Sequence, residues 1–288
     1  MADSTTEASQ RIPELEQRLT RACAGLGLGT PCYAFQAVAS TMDVARELAE
    51  QGAAEGTCVW AETQTGGRGR AGRVWVSPPG GLYCSLILRP TRELREIPQL
   101  ALVGGLAVVE TIREVAGLWA SIRWPNDVLY NGQKLAGVLV EASTSGGQGS
   151  RHKVQGHAPS TLNLVPCTSI YAVVGIGINV TTSREDLPKE ATALAFWKNP
   201  GLDRAALAGM LFRCLEQTYR QWQAEGFGAI RAQVARWNGL FGQLVHITTA
   251  QESFQGQAVD LDESGRLLVR LDSGVVRPVE VGEVTLLK

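Results

Sequence analysis

Three arginines crowd one short stretch, GRGRAGRVW (67–75). Arg68, Arg70 and Arg73 are separated by Gly69, Ala71 and Gly72, and the run ends at Trp75. A guanidinium offers phosphate or carboxylate a planar pair of donors. The small residues leave backbone amides open and let the segment bend. Anchored at both ends, such a loop is suited to closing over an anionic ligand. The same composition also suits a solvated arginine loop or a grip on RNA. The chain totals weigh against the last. Its 27 Lys and Arg are balanced by 28 Asp and Glu, giving a net charge of −1, whereas nucleic-acid-binding domains are usually basic.

A second group lies downstream. WPND (124–127) brings Asn126 and Asp127 to a turn, Lys134 leads the run KLAGVLVE, and Gly137 follows it. In VGIGINV (174–180), Gly175, Gly177 and Asn179 share one face of a strand by the period of two. A lysine at a strand start can bind an anion or simply be solvated. Asn and Asp can act chemically or only form the turn. Glycines can admit a ligand or a neighbouring backbone. The phosphate-cradling GxxxxGK[ST] pattern is absent, and Gly175–Gly177 lies inside an apolar strand and does not open a helix. Six dispersed cysteines without a CxxC pair, and three dispersed histidines, imply buried thiols and no protein metal site. With no signal-like or membrane-length apolar run, a soluble cytoplasmic protein is expected.

The positioning elements follow from periodicity. Residues 11–26 suit a helix with Pro13 in its first turn and Ile12, Leu15, Leu19 and Cys23 on one face. Strands are predicted at 32–38, 57–63, 81–90 and 169–180, and three more within 121–143, with turns at Pro125 and Asn131-Gly132. Helices are predicted at 40–53 (capped by Ser40), 98–117, 203–226 and 226–237. Segment 144–168 is polar and rich in Gly, Ser and Pro, which predicts a surface insertion. After Trp237, short strands between turn residues suggest a small barrel. Strands joined directly as well as through helices favour an α+β fold with a mixed or antiparallel sheet. The expected organisation is a domain over 1–237, with 1–30 as an N-terminal extension, and a β domain over 238–288. About 30 residues before the first strand are too few for a winged helix-turn-helix.

Taken in order, STMDVA (40–45), AETQTGGRGRAGRVW (61–75), WPNDVLYNGQKLAGVLVE (124–141), VGIGINV (174–180) and the C-terminal β unit resemble the biotin–protein ligases. The resemblance spans roughly residues 33–288. Lipoate ligases and octanoyltransferases share the superfamily; GRGRxGRxW followed by WPND and KLAG resembles the biotin branch. The resemblance implies a class II synthetase-like catalytic domain with an SH3-like C-terminal barrel. It implies activation of biotin by ATP and Mg²⁺ to biotinyl-5′-AMP, then transfer to a lysine of a biotin carboxyl carrier protein. Ser40, Thr41 and Gln64 would hold the ureido ring. Arg68, Gly69 and Arg70 would contact ligand and phosphate from the loop, with Arg73 further out, and Trp75 would cover ligand or adenine. Lys134 would contact the biotin carboxylate and the α-phosphate. Gly137, Gly175 and Gly177 would line the pocket, Asn126 and Asn179 would face the nucleotide, and Asp127 would orient or deprotonate the incoming lysine.

The sequence departs from the family at Met42, where Asn is frequent, at Arg123, where Lys is frequent, and in the longer 144–168 segment. The expected type is the monofunctional enzyme without operator binding, and a homodimer through sheet edges fits the resemblance. Three other readings remain at this point. A lipoate or octanoate transferase would accept a long acyl chain and ignore biotin. An RNA-binding module would show strongly salt-dependent binding without ATP turnover. A biotin binder without catalysis would lack the function of Arg68, Arg70 and Lys134.

Overall fold

In the computed structural model the described residues are 10–145, 169–198, 201–280 and 282–287. Residues 1–9 of the predicted extension and 146–168 of the predicted insertion, with Cys167, lie outside them.

The chain runs through α1 (Pro13–Ala22), β1 (Cys32–Val38), α2 (Thr41–Glu50), β2 (Cys58–Gln64), β3 (Gly81–Leu88), α3 (Leu100–Ala116), β4 (Ser121–Arg123), β5 (Asp127–Tyr130), β6 (Gln133–Ser145), β7 (Ser169–Asn179), α4 (Arg204–Glu225) and α5 (Phe227–Arg236). Strands β1 to β7 form one sheet in the order β1-β2-β3-β7-β6-β5-β4. Only β1 and β2, joined through α2, run parallel; the remaining neighbours are antiparallel. The mixed sheet expected from direct strand-to-strand joins is therefore present.

Its two faces are covered differently. Alternation puts Trp60, Cys84, Leu86, Val138, Val174 and Ile176 on the face that packs with α1, α3 and α4 in the main core. Val59, Ile87, Tyr171 and Val173 face α2, through Met42, Ala45 and Ala49. Beyond the first turn of α2 this second face is left for the site.

Local chemistry sets several boundaries. Ser40 caps α2, its Oγ accepting from Met42 N at 3.3 Å. Asn131 and Gly132 both take positive φ, 49° and 76°, the requirement of a two-residue hairpin turn. That turn pairs Tyr130 with Gln133, and a bulge between Val128 and Leu129 brings Asp127 opposite Gly137. Helix α3 starts two residues later than expected, because 94–99, containing Pro98, winds as a 3-10 turn before it. Helix α1 ends four residues early, and Gly25 at φ 82° lies in the turn that follows.

Strands β8 (Leu244–Thr248), β9 (Ser253–Leu261), β10 (Leu267–Arg270), β11 (Val276–Val279) and β12 (Glu283–Leu286) form an antiparallel sheet in the order β11-β10-β9-β8-β12. This separate sheet fits the small C-terminal β unit expected from the closely spaced strands. Its buried residues, among them Val245, Ile247, Leu261 and Leu267, join the main core, and polar contacts add to the docking: Trp124 Nε1 donates to Gly265 O at 2.9 Å and Gln99 Nε2 to Ser264 O at 3.2 Å. Cys23, Cys32, Cys58, Cys84 and Cys214 are buried free thiols, as expected. Among the described residues no helix is long and apolar enough to cross a membrane.

Candidate active site

A cleft of about 550 Å³ lies over the sheet face that carries Gly137, Gly175 and Gly177, a volume in the range of small-molecule sites. The 68–75 loop borders it on one side. Thr248–Ala250 and Gly282–Thr285 of the C-terminal sheet form part of its wall.

One end is neutral and polar. Gln64 Oε1 accepts from Thr41 N at 2.9 Å and from Thr41 Oγ1 at 3.1 Å. Gln64 Nε2 donates to Ser77 Oγ at 2.8 Å, and Ser85 Oγ donates to Thr41 Oγ1 at 2.8 Å. The four side chains orient one another at the start of α2 and the end of β2. Ser77 and Ser85 were not singled out in the sequence. No local pattern marks them, since Ser85 is an inward residue of an apolar strand and Ser77 follows the loop.

The other end is cationic. Asp127 is 8% exposed. Its Oδ1 lies 2.6 Å from Lys134 Nζ, and its Oδ2 accepts from Arg123 Nη2 at 2.6 Å. Arg70 reaches over this pair from the loop, where its Nη1 donates to Asn126 Oδ1 at 3.3 Å. Burial pulls the Arg70 guanidinium below its ordinary pKa, partly opposed by Asp127. Three cations thus surround one carboxylate. Among the described residues, Arg70 is the cleft arginine without a carboxylate partner.

The other two loop arginines are already paired. Arg68 Nη1 donates to Asp43 Oδ2 at 2.7 Å, and its Nη2 lies 3.3 Å from Glu141 Oε1. The hydrogen bond from Arg68 holds Asp43 below the usual carboxylate range, and the same contact raises Arg68. Arg73 is ion-paired with Glu283 of β12. The loop closes on itself as Gly69 N donates to Arg73 O at 2.7 Å and Trp75 N to Gly67 O at 2.9 Å.

Trp75 packs against the sheet over Gly137 and Gly177. A Cβ at Gly177 would come within 2.6 Å of its indole, and one at Gly137 within 3.1 Å. Lys134 Nζ sits 5.1 Å from the ring centroid, and the buried Nε1 has no hydrogen-bond partner among the described residues. The structure therefore gathers Ser40, Thr41, Gln64, Arg68, Gly69, Arg70, Arg73, Trp75, Asn126, Asp127, Lys134, Gly137, Gly175 and Gly177 around one cleft. Asn179 is the exception. It is 2% exposed and donates through Nδ2 to Thr192 O at 3.0 Å, away from the cleft lining.

Fold and cleft define a class: an α+β domain whose pocket joins a neutral hydrogen-bonding end to a cationic end beneath an arginine loop. Residues 34–156 match the Biotin/lipoate A/B protein ligase family and residues 240–287 the Biotin protein ligase C terminal domain. The chain is 36% identical over 243 residues to the bifunctional ligase/repressor BirA of Bacillus subtilis (strain 168), an alignment covering 83% of this chain and 69% of that protein. It is 33% identical over 225 residues to the biotin–[acetyl-CoA-carboxylase] ligase of Paracoccus denitrificans, covering 75% and 85% respectively. Among solved structures, the biotin protein ligase from Aquifex aeolicus in complex with biotin and ATP superimposes with a TM-score of 0.71 at 28% identity, covering 89% of this chain and 98% of that one. The chain belongs to the biotin protein ligases.

Proposed function

We propose that this chain activates biotin with ATP to biotinyl-5′-AMP and transfers the biotinyl group to a lysine of a biotin carboxyl carrier protein. The observation that carries this reading is the two-ended cleft. Biotin has a neutral ureido ring at one end and a carboxylate at the other. The Thr41–Gln64–Ser77 chain suits the first, with donors and acceptors already oriented. The Arg70–Lys134–Arg123 cluster suits the second. A straight apolar acyl chain would leave the polar end facing hydrocarbon, which is unfavourable.

In the first step a biotin carboxylate oxygen bonds to the α-phosphorus of ATP. The bond from that phosphorus to the β-bridging oxygen breaks, and pyrophosphate leaves. Two anions must meet, so fixed cations lower the barrier by stabilising the charge that spreads over the phosphoryl oxygens. Lys134 and Arg70 take that role, Lys134 from a rigid strand and Arg70 from the loop. Asp127 has both oxygens engaged by cations. We therefore assign it to positioning Lys134 and Arg123 in preference to removing a proton. In the second step the carrier lysine nitrogen bonds to the biotinyl carbonyl carbon, the bond to AMP breaks, and the amine proton leaves to solvent. Closure of the loop would keep water from the mixed anhydride meanwhile.

Asn126 borders the cleft beside Arg70 and suits contact with the nucleotide, whereas Asn179 supports the Thr192 segment. Among the described residues no three acidic, histidine or cysteine side chains group to hold a metal. Mg²⁺ is commonly held by substrate phosphates and its own waters; bound with ATP it would offset phosphate charge, and no step is assigned to it. The reading places catalysis in 1–237 and a supporting wall in 238–288, in a reducing cytoplasm that suits the free thiols. Incubating the protein with ATP, biotin and a recombinant carrier domain tests it by intact mass. One biotinyl group added to one lysine supports the reading; an unmodified carrier beside active control ligase removes it.

A further inference from the structure

The three glycines beneath the cleft do not all make room for a ligand. At Gly137 and Gly177 the vacated space holds Trp75, which the loop carries. At Gly175 it holds Met42, carried by the first turn of α2. A Cβ on Gly175 would stand 2.5 Å from Met42 Sδ and 3.2 Å from its Cγ. Contact this close forces the neighbour to move, and the neighbour is the flexible end of Met42, so an alanine at 175 displaces the thioether.

Met42 is 4% exposed and lines the cleft. Its backbone is fixed by the Ser40 cap, and its neighbour Thr41 is held by Gln64 and Ser85. In the sheet, Gly175 pairs with Ser85 on one side and Leu139 on the other. The thioether is thus wedged between the polar end of the cleft and the sheet. An unbranched, polarisable side chain is suited to filling such a gap and to contacting an apolar ring. An Asn at 42 would instead bring an amide needing partners to a place bordered by Gly175, Ala45 and Val173.

We infer that Met42 is a specificity-determining residue, which forms the apolar wall at the ring end of the biotin pocket and sets its width, with Gly175 serving to seat Met42. The inference rests on the biotin reading above. It separates Met42 from a plain core residue, because the pocket width then depends on the 42–175 pair.

The test is a cycle of Met42→Ala, Gly175→Ala and the double variant. Biotin KM and kcat are measured by ATP–pyrophosphate exchange, with melting temperature alongside. In Gly175→Ala the new methyl pushes Met42 into the pocket. Biotin KM rises at least about tenfold with kcat nearly unchanged, the pattern of lost ground-state binding. Met42→Ala relieves it, so the double variant returns to within about threefold of Met42→Ala alone. A biotin analogue with an added methyl on its ring is used better by Met42→Ala than by the parent enzyme. A double variant as poor as Gly175→Ala, or a Met42→Ala variant that only melts earlier with its biotin KM and analogue preference unchanged, overturns the inference. Absence of biotin-dependent exchange in the parent enzyme removes the biotin reading and this inference together. Normal exchange in the parent with no rescue in the double variant removes this inference alone.

Discussion

Replacing Arg70 by Met should separate binding chemistry from stability. Among the described residues the Arg70 guanidinium makes one hydrogen bond, 3.3 Å to Asn126 Oδ1, and has its pKa pulled down by burial. In the ligand-free protein it is a partly desolvated cation with little to offset the cost. A shape-similar apolar side chain there should leave stability unchanged or slightly higher, as when poorly compensated charges are replaced. The ligand-bound state differs. With Arg123, Lys134 and Arg70 around Asp127, two positive charges are left uncompensated for the biotin carboxylate and the α-phosphate. Arg70→Met removes one of them. A hydrogen bond to a charged group contributes about 1.5–3 kcal/mol, so kcat/KM for the exchange reaction should fall by about 10- to 150-fold. The assay pairs exchange kinetics with urea unfolding. Full activity in Arg70→Met, or a loss of unfolding free energy above about 1 kcal/mol in the free protein, would refute the charge assignment.

Asp127→Asn strips two cations of their shared carboxylate. Arg123 and Lys134 keep partial access to solvent, so the loss falls below the roughly 3–5 kcal/mol of a fully buried pair; a lower urea midpoint is expected, and an unchanged midpoint would count against the pairing. Asp43→Asn loosens the loop tether at Arg68, for about 1 kcal/mol or less because both partners are partly exposed. Since folding lowers the Asp43 pKa, this increment is present above the ordinary carboxylate range. It is lost as pH falls through the lowered value, so parent and variant unfolding curves should converge in acid. Burial pushes the Cys23 thiol up to about 12, and hydrogen bonding with Cys32 and Cys84 together with burial pushes Cys58 well above its ordinary value. Peptide mapping after brief alkylation of native protein should leave both unlabelled, and rapid labelling of either would show the core to be open.

Much of the site was legible because its chemistry is local. The arginine–glycine loop, WPND, Lys134 and the Asn131-Gly132 turn each declare themselves within a few residues. The period of two puts Gly175 and Gly177 on one face of β7, and both border the cleft. What could not be read depends on contacts distant in the chain. Arg68 looked like a free anion ligand, and only folding brings Asp43 from α2 and Glu141 from β6 to it. Arg73 meets Glu283 about 210 residues later, on a different sheet. Gly175 and Gly177 looked equally like open floor, yet one seats Met42 and the other Trp75. Asn179 obeys the same alternation but lies one step beyond the cleft, where the carbonyl of Thr192 claims it. The C-terminal strands read as a separate unit, and their wall along the cleft follows from docking that no local pattern encodes.

ATP–pyrophosphate exchange by the purified protein, without any carrier, is the most direct test of the central claim. The account expects exchange that requires biotin, is not supported by lipoate or octanoate, and is strongly reduced in Lys134→Ala. Exchange with lipoate in place of biotin, or none with any of the three acids while the protein is folded, would contradict it.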